Sequence, residues 1–463
     1  MHYPWWHVPG LTAPMLIAVI SVVHVLVSHY AVGGGFFLAI ETGHAHRHND
    51  RAYLDYLKGH ATFFVLLTVV FGAITGVGIW WTIGLASPLA TETLIRTFVF
   101  GWAMEWVAFV VELTAAFIFY YYWNKLSPPL HTRIGWIYAW AAWISLVLIT
   151  AITAFMLDPG DWSPAHNSFW VALLNPQCIP QIVARTGGAL LLTSLYVYFH
   201  SSLFVREQRL RDLIQKRSSR PALLGAVLIL AGGVGWFYFL PESAWAVLQA
   251  AAAINLLMML IFALTILVLV LVYLGPYRNP GWLTPGFAAA LLALGIAAFA
   301  SGEFIRESVR KPYIIYNVVF GNQILTGEVS QLRRDGYLEG GAWTKPYVAA
   351  KYPGVMTAGR IDPQKLLELP PTDRIHLGEV LFQYHCNDCH AAARGYSALG
   401  PQLLGRPRDM ILGTVEHLEV AHFFMPPWAG TPQEAEILTD YLVSIRPPRP
   451  AGMQPLGSAK ETP

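Results

Sequence analysis

The sequence predicts an all-α fold: a polytopic membrane bundle of eight transmembrane helices followed by a small helical domain. Three observations carry this. Of 463 residues, 55% are hydrophobic and only 13% charged, whereas about a quarter of a soluble globule's residues are charged. Eight apolar stretches, near 11–40, 58–84, 93–123, 133–157, 180–205, 221–240, 247–274 and 283–302, reach the roughly 20 residues that cross a bilayer. Beyond residue 312 such runs stop, and short amphipathic periodicities surround a Cys386-x-x-Cys389-His390 segment.

Taken in order, the spans orient themselves by charge. Connections after the first, third, fifth and seventh carry Arg47, Arg51, Lys125, Arg206, Arg209, Arg211, Lys216, Arg217, Arg220 and Arg278. Those near 85–92, 158–179 and 241–246 carry no lysine or arginine. Positive loops stay cytoplasmic, so both termini are expected outside a bacterial cytoplasmic (inner) membrane. No cleavable leader is expected, because the first apolar run is too long for one. The net charge of +2 gives no sign of nucleic acid as a partner.

The Cys386-x-x-Cys389-His390 segment offers two thiols for covalent haem attachment and an imidazole for its iron. A structural zinc site needs further ligands of the same kind, yet the remaining cysteine, Cys178, is more than 200 residues away. Haem attachment occurs outside the bacterial cytoplasm, which agrees with the orientation read from charge. Around the motif, Gly378, Leu381 and Phe382 fall in a helix ending at Cys386, and Ile437, Leu438, Tyr441, Leu442 and Ile445 recur at helical spacing in a closing helix. With Gly400-Pro401 and Met425-Pro426-Pro427, this part resembles a class I cytochrome c. The resemblance implies His390 as proximal iron ligand, the Pro401 carbonyl as holder of its ring, and Met425 as distal ligand, with His422 as the alternative.

Ionisable residues inside spans are costly and mark function. Glu105 and Glu112 stand two helical turns apart, about 10 Å along one face, suited to carrying protons to a buried site. Glu303 and Glu307 share a face at the end of the last span, beside Arg306 and Arg310, whose forked donors suit haem propionates. His24 lies mid-span ahead of Gly33-Gly34-Gly35, where small residues admit a helix or a flat cofactor. His29 is about 140° further round the helix and stays a candidate ligand. His44, His46 and His48 form an alternating cluster read as a solvated loop, with a metal site as the other possibility.

These residues carry a second likeness. His24 through Gly35-Phe-Phe-Leu-Ala-Ile-Glu41, Gly72 to Gly76, Glu112 through Trp123-Asn-Lys-Leu126, and Glu307-x-x-Arg310-Lys-Pro312-Tyr resemble the haem-bearing subunit I of cytochrome bd oxidases over residues 1–312. The resemblance implies His24 and Glu307 as ligands of membrane haem iron, Arg310 as a propionate partner, and Glu112 as the second of two third-span glutamates. The first would fall at Met104, one residue from Glu105. The family's fifth-span histidine for the low-spin haem is missing around Pro180–Arg185, which leaves Met258 and Met259 without their usual partner. His200 lies far along that helix. The outside quinol-binding loop shrinks to a few residues around Pro241–Ala244, and the haem c domain takes the place of the last span.

The expected organisation is a transmembrane haem domain (1–312), an extracytoplasmic connector (313–371), a cytochrome c domain (372–447) and a tail (448–463). The expected cofactors are one covalent haem c and non-covalent haem b, with haem d a further possibility. The expected function is a bd-like oxidase subunit that takes electrons from a c-type cytochrome donor and reduces oxygen, with a second membrane subunit as partner. The alternatives are a non-catalytic electron conduit and a quinone–cytochrome c oxidoreductase.

Overall fold

The computed structural model describes residue 6 and residues 8–448; of the expected tail, positions from 449 onward lie outside the described residues. Among the described residues, eight helices are long and apolar enough to cross a membrane: α1 Ala13–Arg47, α2 Arg51–Ala86, α3 Val99–Tyr121, α4 Pro128–Phe155, α5 Cys178–Phe204, α6 Gln208–Tyr238, α7 Ala252–Tyr277 and α8 Pro285–Ser308. The all-α membrane architecture is therefore as the composition predicts.

Local chemistry sets several boundaries. Asp50 accepts the Tyr53 N–H and starts α2, while Thr284 caps α8 just before Pro285. Two boundaries differ from the sequence reading. Residues 208–220, expected as a loop, continue α6 outward because Arg, Leu, Gln and Lys are good helix formers; hydropathy registers only the apolar part. For the same reason α1 runs on to Arg47, so His44 and His46 are helical rather than in a loop. The short outside segment after Pro241 forms a helix too, Glu242–Ala250.

The chain divides into two compact units. One comprises Ala18–Trp80 and Leu94–Val309; the other holds the chain from Arg310 onward with Trp81–Thr93 and the segment up to Ile17. In the first, small residues let helices approach. A Cβ at Gly187 on α5 would lie 2.5 Å from the Gly225 carbonyl oxygen on α6, and a Cβ at Gly225 would meet the Gly187 oxygen equally closely.

In the second unit, β1 (Tyr313–Ile315) and β2 (Val319–Phe320) form a small antiparallel hairpin. Helices α9 (Pro371–His385), α10 (Arg408–Glu416) and α11 (Pro432–Ser444) follow. Leu381, Phe382, Ile437 and Leu438 share one core with Tyr337, Leu338 and Leu366 from the stretch before α9. Helices α9 and α11 cross at Gly378, where a Cβ would come within 2.6 Å of Tyr441 Cβ. Glu434 binds the two parts of this unit together. Its carboxylate accepts the N–H groups of Thr431 (2.8 Å), Tyr337 (2.9 Å) and Leu338 (2.7 Å), and Thr431 returns a hydroxyl to the Glu434 N–H in a capping box.

Candidate functional site

The Cys386–His390 turn grows directly out of α9. The N–H groups of Cys386 and Asn387 both donate to the Phe382 carbonyl, at 2.8 and 3.1 Å, and the His390 N–H donates to Cys386 at 2.9 Å. The two thiols are thereby presented on one turn, both free. Burial pushes the Cys386 thiol up to about 12. His390 Nδ1–H donates to the Ser397 carbonyl at 2.8 Å, which fixes the tautomer and leaves Nε2 with its lone pair. Desolvation lowers the His390 pKa, so the imidazole is neutral, as a metal ligand must be. Two thiols and one oriented neutral imidazole fit a covalently attached haem. They do not fit zinc: among the described residues no group of three or more His, Cys, Asp or Glu is placed to hold a metal ion.

One detail is corrected here. The carbonyl that orients the His390 ring is that of Ser397, and the Pro401 carbonyl instead accepts the Leu404 N–H at 3.3 Å. A left-handed Ser397, φ 49°, turns its carbonyl toward the ring, a conformation that sequence does not announce for serine. On the distal side, Met425 is half-buried and its N–H donates to the His422 carbonyl at 2.8 Å. The two candidate ligands therefore share one turn, and His422 lies within electrostatic reach of His390. Lys311 Nζ donates to Cys389 Sγ at 2.9 Å.

In the membrane bundle, α3 and α4 run antiparallel with matched polar pairs. Ser145 donates to Glu105 Oε1 at 2.9 Å, and Tyr138 donates to Glu112 Oε1 at 3.1 Å. Seven residues separate the partners on each helix, so one register serves both. Met104 is 42% exposed, while Glu105 beside it is half-buried.

His24 Nδ1 lies 3.1 Å from Thr75 Oγ1. That hydroxyl already donates to the Phe71 carbonyl, so it accepts from His24 Nδ1–H and leaves Nε2 as an acceptor. The ring rests on Gly76, where a Cβ would be 3.2 Å from Cε1. This histidine thus faces α2. His29 turns elsewhere: its Nδ1–H donates to the Val25 carbonyl at 2.8 Å, and its ring lies edge-on to Phe299 of α8, centroids 5.1 Å apart. A Cβ at Gly188 of α5 would touch both rings, so α1, α5 and α8 converge there.

Arg185 and Glu303 act electrostatically on His29, and Glu303 Oε2 accepts from Arg306 Nε at 2.8 Å. Glu307, one turn on, is half-buried within reach of Arg306. Arg185 is the residue sequence reasoning missed. Its signal is an arginine inside an apolar span. Arg310, in the other unit, is buried with Nη1 donating to the Ile314 carbonyl at 3.2 Å.

Several further residues find plain roles. His44, His46 and His48 do not form a triad: His48 Nδ1 binds the His44 carbonyl, while His46 faces His131 at 3.4 Å. Alternate residues on a helix point to opposite sides. Met258 packs against the apolar cluster that includes Leu240 and Ile305, and Met259 is exposed. A cleft lined by Gly35, Gly135, Phe64 and Tyr138 has room for about one water, so it is no porphyrin pocket.

With this geometry in view, the helix order, the third-helix glutamate pairs and the first-helix histidine meet an outside finding. Residues 13–236 match the family model of cytochrome bd terminal oxidase subunit I. Among solved structures, the bd oxidase from Geobacillus thermodenitrificans is similar at a TM-score of 0.56 and 17% identity, over 66% of this chain and 89% of that one. At that identity the likeness establishes the fold. No curated protein matches the chain. The bd-type match covers α1 through most of α6, six of the eight candidate membrane spans.

Proposed function

We propose that this protein is a bd-type oxidase subunit fused to a c-type cytochrome, which receives electrons from a c-type cytochrome donor and delivers them to haem held in the membrane bundle, where oxygen is reduced. The observation that carries the reading is the pairing, in one chain, of the bd-type match over 13–236 with a Cys386/Cys389/His390 turn whose imidazole is oriented through Nδ1. Cys386 and Cys389 would hold haem c covalently, with His390 and Met425 as its iron ligands. His24 and Glu307 would hold membrane haem of the b or d type, with Arg310 on a propionate. Such haem supplies one-electron storage and an iron open to oxygen. The chain's own part is to orient His24 through Thr75, keep His390 neutral, and hold protons at Glu105 and Glu112.

Both termini would lie on the periplasmic side, a reading the lysine and arginine asymmetry supports, and a second membrane subunit is part of the proposal. The Arg185 side chain, lying where the bd family keeps its low-spin ligand region, favours loss of quinol as donor. It also gives substance to the competing reading of a non-catalytic conduit. Oxygen uptake by the purified complex discriminates them. Uptake driven by reduced cytochrome c and not by quinol, together with a CO-binding reduced haem, supports the proposal. An entirely six-coordinate haem set with no oxygen uptake supports the conduit instead.

A further inference from the structure

At the arginine-rich end of the bundle, where α1 ends, α2 begins and α5 gives way to α6, a line of ionisable and hydroxyl side chains leads inward. It starts at Glu41, which accepts from Arg217 Nε and from the Tyr53 hydroxyl at 2.8 Å. Tyr53 stacks with Tyr56, centroids 6.3 Å apart, and Tyr56 stacks with His60 at 5.7 Å. His60 meets His200 of α5 edge-on at 4.8 Å, and Tyr56 is 5.5 Å from His200. These three rings form a triangle. His60 Nε2 lies 2.9 Å from the Tyr30 hydroxyl, deeper along α1 by about 16 Å from Glu41 at 1.5 Å per residue.

The triangle holds three buried polar atoms with no hydrogen-bond partner: Tyr56 Oη, His60 Nδ1 and His200 Nδ1. His60 is fully buried, and Tyr56 and His200 are each 8% exposed. Buried groups of this kind are satisfied in nearly all proteins, and one polar site with several convergent partners is where a water is held. Purely structural histidines in an apolar bundle would be expected to use both ring nitrogens on neighbours. Beside Tyr30, the Tyr138 hydroxyl lies 3.2 Å from the Ala31 carbonyl oxygen, within electrostatic reach of Tyr30, and donates to Glu112 Oε1 at 3.1 Å.

We infer that Tyr56, His60, His200 and Tyr30 form a proton inlet that carries protons from the arginine-rich end of the bundle to Glu112 and Glu105. The inference rests on the oxidase reading above and names the source of that site's protons. Each hop conserves charge and atoms. A hydronium arriving at the triangle gives its proton to His60 Nδ1 and reverts to water, and the imidazolium so formed releases its Nε2 proton to the Tyr30 oxygen. Tyr30 passes its own hydroxyl proton to the Tyr138 oxygen as Tyr138 passes its proton to the Glu112 carboxylate, and a flip of the His60 ring restores its first tautomer. No electron moves, so no oxidant is needed.

The test uses the whole complex turning over with reduced cytochrome c. Tyr30→Phe and His200→Phe keep ring volume among Phe63 and Phe204, neighbours of His200. The expected result is a fall in oxygen turnover of about tenfold or more, a larger solvent deuterium isotope effect, and an unchanged rate of haem reduction by the donor in a single turnover. Infrared difference spectra are expected to lose imidazole bands in His200→Phe. Wild-type turnover and isotope effect in both variants would overturn the inference while leaving the oxidase reading intact. Loss of haem from both variants, or a tightly bound metal ion lost with His200, would also overturn it, since the cluster would then be structural or a metal site. If the wild type consumes no oxygen, the oxidase reading fails first and the inlet with it.

Discussion

The C-terminal unit and the membrane bundle position their functional side chains by opposite means. In the C-terminal unit the backbone does it: Phe382 carbonyl sets the Cys386 turn, Ser397 carbonyl sets His390, and Glu434 gathers three N–H groups from two stretches. In the bundle, side chains from different helices hold one another, as in Ser145 with Glu105, Tyr138 with Glu112, and His24 with Thr75. Glycines bring those helices close enough for the pairs to form. The first kind of site is local and robust to neighbours; the second depends on how every helix is seated.

That contrast is open to direct attack. Replacing both attachment thiols, Cys386→Ala with Cys389→Ala, is expected to abolish covalent haem completely, seen as loss of the peroxidase-active band on a denaturing gel. Extractable haem should remain in full, and its disappearance would show that the two regions do not load independently. The converse change, His24→Ala, is expected to remove one extractable haem, counted by absorbance, while the covalent band persists. Retention of all extractable haem would reject His24 as a ligand.

Glu434→Ala is expected to cost the C-terminal unit about 3 to 9 kcal/mol, since it strands three N–H groups at roughly 1–3 kcal/mol each; denaturant unfolding followed by tryptophan fluorescence measures it. The pH dependence has a definite sign. Burial raises the Glu434 pKa, so its linked contribution is fullest below the ordinary glutamate value and is lost as pH rises through the raised one. The gap between wild type and variant should therefore narrow with rising pH; a gap that widens instead contradicts the burial argument. The smallest effect concerns the thiol itself. In the haem-free chain Cys386 should alkylate slowly at neutral pH, with a rate that climbs toward about pH 12. Fast neutral labelling, read by mass spectrometry of the peptide, would place that side chain in water.

The same contrast explains what was legible in the sequence. Eight spans, the Cys386–His390 motif and the α9–α11 pairing follow from composition, spacing and period, because each is encoded within a few turns. Ser397 was not legible, since its left-handed backbone comes from the fold of the loop. Nor was Arg185, whose meaning depends on Glu303 more than a hundred residues later. The His60–His200 pair is separated by 140 positions and shows no pattern at all until α2 and α5 are packed together. Glu105 was readable in part: its distance from Glu112 set the face, and its hydrogen bond from Ser145 came only with the packing of α3 on α4.

The central claim is that one chain carries both covalent haem and membrane haem. Acid–acetone extraction of the purified complex, followed by pyridine haemochrome spectra of the pellet and the extract, tests it most directly. One haem c per chain in the pellet and haem b or d in the extract is the predicted result. A pellet without haem, or an extract without any, would contradict the account.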